Sequence, residues 1–259
     1  MLLLYANQNF KLTKKMIKLL PVLILIIIWL IINPSPYCLL ARRKYKKSEY
    51  FRLTGNPYLS TVLDKGRYGE YLTYRKLLKP GGDKKFLFNI YIPKPDNTAS
   101  EIDVLLIHES GLYVLESKNY SGWIFGMENQ RYWTQTIPRQ KGRPPEKNRF
   151  YNPVLQNRGH IKALKSYLED ESLPVRSIIV FSERCELKKV EISRADCIVV
   201  KRDELAMVFK NCIKLSKTTL PAKKAEEIYS RLYPLTQADA AQKQEHIDNI
   251  NKKYARRNS

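Results

Sequence analysis

The stretch Glu101–Lys118, EIDVLLIHESGLYVLESK, decides how the chain is read. Two apolar runs, Glu101–Ile107 and Leu112–Lys118, are separated by His108-Glu109-Ser110-Gly111, a turn signal that predicts a β-hairpin. Ile102, Val104–Ile107, Leu112, Val114 and Leu115 are apolar on both strand faces, as expected of a sheet covered on both sides. Three charged side chains, Asp103, Glu116 and Lys118, interrupt this pattern at the end away from the turn. A turn at Glu109-Ser110, or a wider one over His108–Gly111, sets Asp103 opposite Glu116, whereas a turn at Ser110-Gly111 sets it opposite Lys118. In both cases the three side chains share a face, because opposed residues point the same way and alternate residues repeat the face. A three-residue turn would break the arrangement by placing Asp103 opposite Ser117.

Two carboxylates and a lysine at one end of an apolar hairpin carry a desolvation cost unless a cation or a water-filled cleft receives them. Hard oxygen ligands held close together suit Mg²⁺ or Mn²⁺. Such an ion lowers the pKa of bound water and stabilises charge on a phosphate oxygen, and Lys118 beside it would orient or stabilise the attacking hydroxide. Spacing alone leaves a strand-end salt bridge as the competing account.

Outward from the hairpin, residues 60–79 read as a helix stopped by Pro80-Gly81-Gly82, and Phe86–Ile92 as a strand followed by the turn-rich PKPDNTAS. A second hairpin runs through Trp123–Thr136. The polar stretch 138–150 carries Arg139, Lys141, Arg143, Lys147 and Arg149 and is expected to be a phosphate-binding flap, the alternative being a solvated loop. Asn152-Pro153 caps a helix reaching about Glu169. Val175–Phe181 and Cys197–Val200 follow as strands, Asp203–Lys214 and Ala222–Leu232 as helices. This order predicts an α/β domain with a mixed sheet flanked by helices.

Glu101-Ile102-Asp103, then Glu116-Ser117-Lys118, with a preceding Gly66-x-x-Gly69-Glu70 and a following Asn152-Pro153-x-x-Gln156, resemble the nuclease-related domain called NERD, a branch of the PD-(D/E)XK nuclease superfamily. The resemblance covers about Lys65 to Phe181, including Ser121-Gly122 and the IIVF strand. It implies a restriction-endonuclease-like sheet, with Asp103, Glu116 and the Ser117 carbonyl as ligands of Mg²⁺ or Mn²⁺ and Lys118 as the catalytic lysine. Glu70 would be an outer metal ligand or water-holder, and Gln156 would contact substrate or an active-site water. Ser117 replaces the threonine common at that point, a mild departure because only its carbonyl would be used. Gly66 and Gly69 have a plainer use in letting the helix pack closely on the sheet. His160, one turn beyond Gln156, is expected to be a packing residue, and His108 and Glu109 to be solvated at the turn.

The chain of 259 residues holds 46 Lys+Arg against 25 Asp+Glu, a net charge of +21. Surplus of this size marks nucleic acid or an anionic membrane surface as a partner. Residues 1–50 hold nine basic residues and one acid, a surplus of +8, which leaves +13 for the rest. The uncharged run Leu19–Ile32 lies in a charge-free window, Leu19–Ala41, long enough to span a bilayer if it tolerates Asn33-Pro34-Ser35-Pro36. It is apolar all round, unlike a surface helix of a soluble domain, and no small-x-small cleavage site follows it. A retained single-pass transmembrane anchor is therefore expected, with membrane lipid as its partner. Arg42, Arg43, Lys44, Lys46 and Lys47 behind it favour a cytoplasmic carboxy-terminal domain. The four cysteines form no C-x-x-C pair, which speaks against a zinc site or a disulfide framework.

The resulting layout is a basic segment 1–18, an anchor 19–41, a basic juxtamembrane linker 42–59, a NERD-like core 60–181, completing elements 182–235 and a polar tail 236–259. The expected function is a membrane-anchored, metal-dependent nuclease acting on nucleic acid, DNA ahead of RNA. The rival is a non-catalytic basic module that tethers nucleic acid to a membrane.

Overall fold

The computed structural model describes residues 21, 35–95, 98–140 and 143–237. The chain divides into two compact units, Met1–Ser48 and Glu49–Ser259. In the first, helix α1 (Pro36–Lys46) begins at Ser35, whose hydroxyl accepts the Cys38 backbone N–H at 3.3 Å, and ends on Arg43, Lys44 and Lys46. Among the described residues no helix is long and apolar enough to cross a membrane. Most of the expected anchor, residues 19, 20 and 22–34, lies outside the described residues, as does the tail from 238 onward.

The second unit is a mixed α/β fold with two sheets. Helices α2 (Glu49–Thr54), α3 (Tyr58–Leu63) and α4 (Lys65–Leu77) lead into strands β1 (Lys84–Pro93), β2 (Ala99–His108) and β3 (Gly111–Lys118). Then follow β4 (Gly122–Met127), β5 (Tyr132–Ile137), β6 (Glu146–Tyr151), α5 (Pro153–Leu168), β7 (Val175–Phe181), β8 (Cys185–Glu191) and β9 (Cys197–Lys201). Helices α6 (Leu205–Leu215) and α7 (Ala222–Leu232) and a short 3₁₀ turn, Tyr233–Thr236, close the described fold. One sheet has the order β1-β2-β3-β7-β9, antiparallel through β3 and parallel beyond it; the other has the order β6-β5-β4-β8.

The apolar faces read from the sequence are buried as expected. One face of the first sheet packs Leu105, Ile107, Leu112 and Val114 against Leu164 and Leu168 of α5 and Ile228 and Leu232 of α7. Elsewhere Tyr50, Tyr74, Phe86 and Phe88 form an aromatic cluster with ring centroids 4.8 to 6.3 Å apart. Tyr50 belongs to α2, so part of the segment read as a linker is a helix that contributes to the core.

Other differences have local causes. The single helix expected over 60–79 is two, because Asp64 adopts an extended conformation and its carboxylate accepts the Arg67 N–H at 2.9 Å, capping a new helix. The stretch 138–150 is only partly a loop: its second half is β6, which pairs with β5 from Ile137↔Glu146 to Tyr132↔Tyr151. Arg139 and Arg143 precede that strand, Lys147 and Arg149 lie on it, and Lys141 is outside the described residues. His108 is buried rather than solvated; its Nδ1 lies 2.7 Å from Ser110 Oγ, its Nε2 3.2 Å from the Gly81 carbonyl, and its ring meets Phe209 edge-on. Burial pushes its pKa down.

Candidate active site

The β2–β3 ladder runs from His108↔Gly111 to Val104↔Leu115, the register of a two-residue turn at Glu109-Ser110. Gly111 has a φ of 126°, and a Cβ there would lie 2.7 Å from the Pro174 carbonyl, so the turn favours glycine. Extending this register places Asp103 across from Glu116. Beyond Leu115 no further backbone pair is formed with β2; instead Asp103 Oδ2 accepts the Ser117 backbone N–H at 3.0 Å. Opposite Asp103 on β1, Asn89 takes a positive φ of 49°. The carboxylates thus stand where the ladder is interrupted.

Lys118 connects the strand end to α5. Its Nζ donates to Glu116 Oε1 at 2.6 Å and to Gln156 Oε1 at 3.2 Å. Gln156 is carried there because the Asn152 side chain accepts the Val154 N–H at 2.9 Å and starts the helix. The Asn152 amide also donates to the carbonyls of Glu128 and Gln130, at 2.9 and 2.6 Å. The motif Asn152-Pro153-x-x-Gln156 therefore ties the helix start to the β4–β5 turn and points its fifth residue at the lysine.

Glu70 is buried on α4 and accepts from Tyr50 Oη at 3.2 Å and Asn89 Nδ2 at 3.5 Å. The helix approaches β3 at Gly69, where a Cβ would stand 3.0 Å from Asn119 Cβ and 3.2 Å from Ser117 Oγ. Gly66 has no such contact with the sheet; a Cβ there meets only the Asp64 carboxylate. Close packing thus accounts for Gly69 but not for Gly66.

The electrostatics show two charges held and two resisted. Burial opposes ionisation of Glu116, but Lys118 and then His160 outweigh it and hold that carboxyl below the usual range. Burial, Glu116 and Glu70 push Asp103 well up. Burial and the charge of Glu101 raise Glu70 to about 7. For Lys118, burial works against the charge, while Glu116 and Asp103 outweigh it and raise its pKa.

Among the described residues, no three His, Cys, Asp or Glu side chains close into a metal cage. The donor set nevertheless fits a hard divalent cation, which commonly takes one or two carboxylates and keeps several waters. Glu116 Oε2 is buried with no well-formed hydrogen bond, and the burial and carboxylate repulsion that raise Asp103 are what a bound cation would offset.

His160, expected to be a packing residue, reaches this centre. Its Nδ1 is 2.7 Å from Ser100 Oγ, and its Nε2 stands 3.4 Å from Glu116 Oε2. The four-residue step from Gln156 to His160 signalled a shared helix face, but nothing in the sequence indicated Ser100 or Glu116 as its partners. Of the proposed phosphate contacts, Arg139 is engaged by Glu146 at 2.8 Å, and Lys147 and Arg149 are exposed on the β6 edge.

An uncharacterized protein of Bacillus anthracis is 31% identical over 194 residues, covering 74% of this chain and 86% of that protein. No solved structure matches. The profile of the nuclease-related domain spans residues 65–182, from the start of α4 past the end of β7. It encloses Glu70, Asp103, Glu116, Lys118 and Gln156, and on this evidence the chain belongs to the NERD, or nuclease-related domain, family.

Proposed function

We propose that the chain is a divalent-metal-dependent phosphodiester hydrolase acting on nucleic acid, DNA ahead of RNA. The carrying observation is the convergence of Asp103, Glu116 and Lys118 where the β2–β3 ladder stops, with Glu116 Oε2 buried and facing His160 Nε2 at 3.4 Å. Asp103, Glu116 and the Ser117 carbonyl would hold Mg²⁺ or Mn²⁺, and Glu70 would serve as an outer ligand. When bound, such an ion lowers the pKa of a water and neutralises charge on a phosphate oxygen. Lys118, held by Glu116 and Gln156, presents a fixed positive charge where negative charge develops on the phosphate. Gln156 orients that ammonium, and His160 steadies the far oxygen of Glu116.

The uncharged run Leu19–Ile32 supports a membrane anchor for this hydrolase, with the nuclease domain on the cytoplasmic side. The full chain, extracted in detergent, is to be incubated with single- and double-stranded DNA and RNA in Mg²⁺, Mn²⁺ or EDTA. Cleavage is expected with metal and not with EDTA, and should fall at least about 100-fold in Glu116→Ala and Lys118→Ala while binding survives. Binding without metal-dependent cleavage of any substrate would support the tethering module instead. Release of the chain from membranes by alkaline carbonate would count against the anchor.

A further inference from the structure

The outer face of the second sheet carries an arrangement that the hydrolytic centre does not use. Its inner face packs Ile124 and Trp133 into a core with Ile179 and Phe181. Alternation therefore turns Trp123 and Phe125 of β4, Tyr132 of β5, and Lys147 and Arg149 of β6 to the other side. Trp123 is 37% exposed. Lys188 of β8 places its Nζ 5.7 Å from the Trp123 ring centroid, and the Arg149 guanidinium stands 5.0 Å over the Tyr132 ring. Glu186, paired with Lys188 at 2.6 Å, offsets part of the positive charge.

Aromatic rings beside cations on an open sheet match the chemistry of an unpaired strand, whose bases stack on rings while its phosphates meet the cations. A duplex keeps its base faces inside the stack, so exposed rings add little to its binding. The platform is also close in the chain to the proposed centre. Trp123 follows Lys118 by five residues, which limits their separation to about 18 Å even if the connection is fully extended.

We propose that this face is a stacking platform for single-stranded nucleic acid that delivers the strand to the centre at Lys118. The proposal rests on the nuclease-like reading and narrows its substrate to unpaired strands. The test is anisotropy of a fluorescent thymidine oligonucleotide of roughly twenty residues with the full-length protein in detergent and EDTA. Trp123→Ala should weaken binding about tenfold, Trp123→Phe should restore most of it, and affinity for a duplex of equal length should not change. Unchanged single-strand affinity in Trp123→Ala, or equal losses for strand and duplex, would overturn the platform. Capture of a protein by this face, with oligonucleotide binding unaffected, would overturn it too. Cleavage is scored separately with Lys118→Ala. Weakened binding in Trp123→Ala by a protein that cuts nothing would keep the platform and sink the hydrolase; metal-dependent cutting with intact Trp123→Ala binding would do the reverse.

Discussion

Glu70 shows what burial does to a single side chain near this centre. Its desolvation and the charge of Glu101 outweigh the hydrogen bonds from Tyr50 and Asn89, and its pKa rises from 4.5 to about 7. The unfolded chain loses this proton near the ordinary value, whereas the folded chain keeps it to about 7. Between those values the folded state binds more protons, so stability falls as pH rises, by at most about 1.4 kcal/mol per pH unit, and levels off above the folded pKa. Glu70→Gln removes that slope. In EDTA the variant should match the wild type near the ordinary carboxyl pKa and exceed it in stability above pH 8; parallel urea-melt profiles across the range would refute this. The charged trio of the hairpin was legible because ionic residues in an apolar run demand a reason, and strand alternation fixes their common face. The role of His160 was not. Its partner Ser100 lies sixty residues earlier, and helical spacing says which side chains share a face without saying what that face meets.

At the scale of elements, the contact between α4 and the end of β3 decides where Glu70 can stand. Gly69 lets the helix come within van der Waals distance of Ser117 and Asn119, and Thr73 Oγ1 meets Ser117 Oγ at 3.4 Å. An alanine at Gly69 gains about 1 kcal/mol of helix propensity but loses roughly 1–3 kcal/mol to overpacking at this contact. Gly69→Ala should therefore change stability only modestly and lower cleavage about threefold, since Ser117 and Asn119 must give by a few tenths of an ångström beside the positioned groups. Gly66→Ala, which has no contact with the sheet, should leave cleavage close to wild type. Equal cleavage by the two variants, measured beside their thermal melts, would show that the helix contact does not position the centre. The strands missed in the sequence are edge strands. β6 (EKNRFY) and β8 (CELKKVE) close the two sides of the second sheet and carry charges instead of an apolar period. Charged edges discourage pairing with other chains, so their sequences resemble loops. The central strands β3 and β7, covered on both faces, announced themselves as apolar runs.

For the molecule as a whole, the net charge of +21 has to be reconciled with a proposed centre rich in carboxylates. The reconciliation is spatial. Asp103 and Glu116 sit at the interrupted ladder with Lys118, while Lys147, Arg149, Lys188 and Lys189 are exposed on strands of the second sheet. Phosphates would then be gathered by one region and processed at another, and binding should depend on salt more strongly than the chemical step does. If about four of these cations meet phosphates of an unpaired strand, the logarithm of affinity should fall against the logarithm of salt with a slope of about −3. Replacing Lys147 and Arg149 together by alanine should reduce the magnitude of that slope by about 1.4, because two counterion-releasing contacts are gone. Trp123→Ala should weaken binding at every salt concentration and leave the slope nearly unchanged, since stacking releases no counterions. Titrations of the same oligonucleotide across a salt series separate these effects. A slope that the double substitution does not alter would mean that phosphates are gathered elsewhere on the chain, with the basic flanks Lys11–Lys18 and Arg42–Lys47 as the next positions to test.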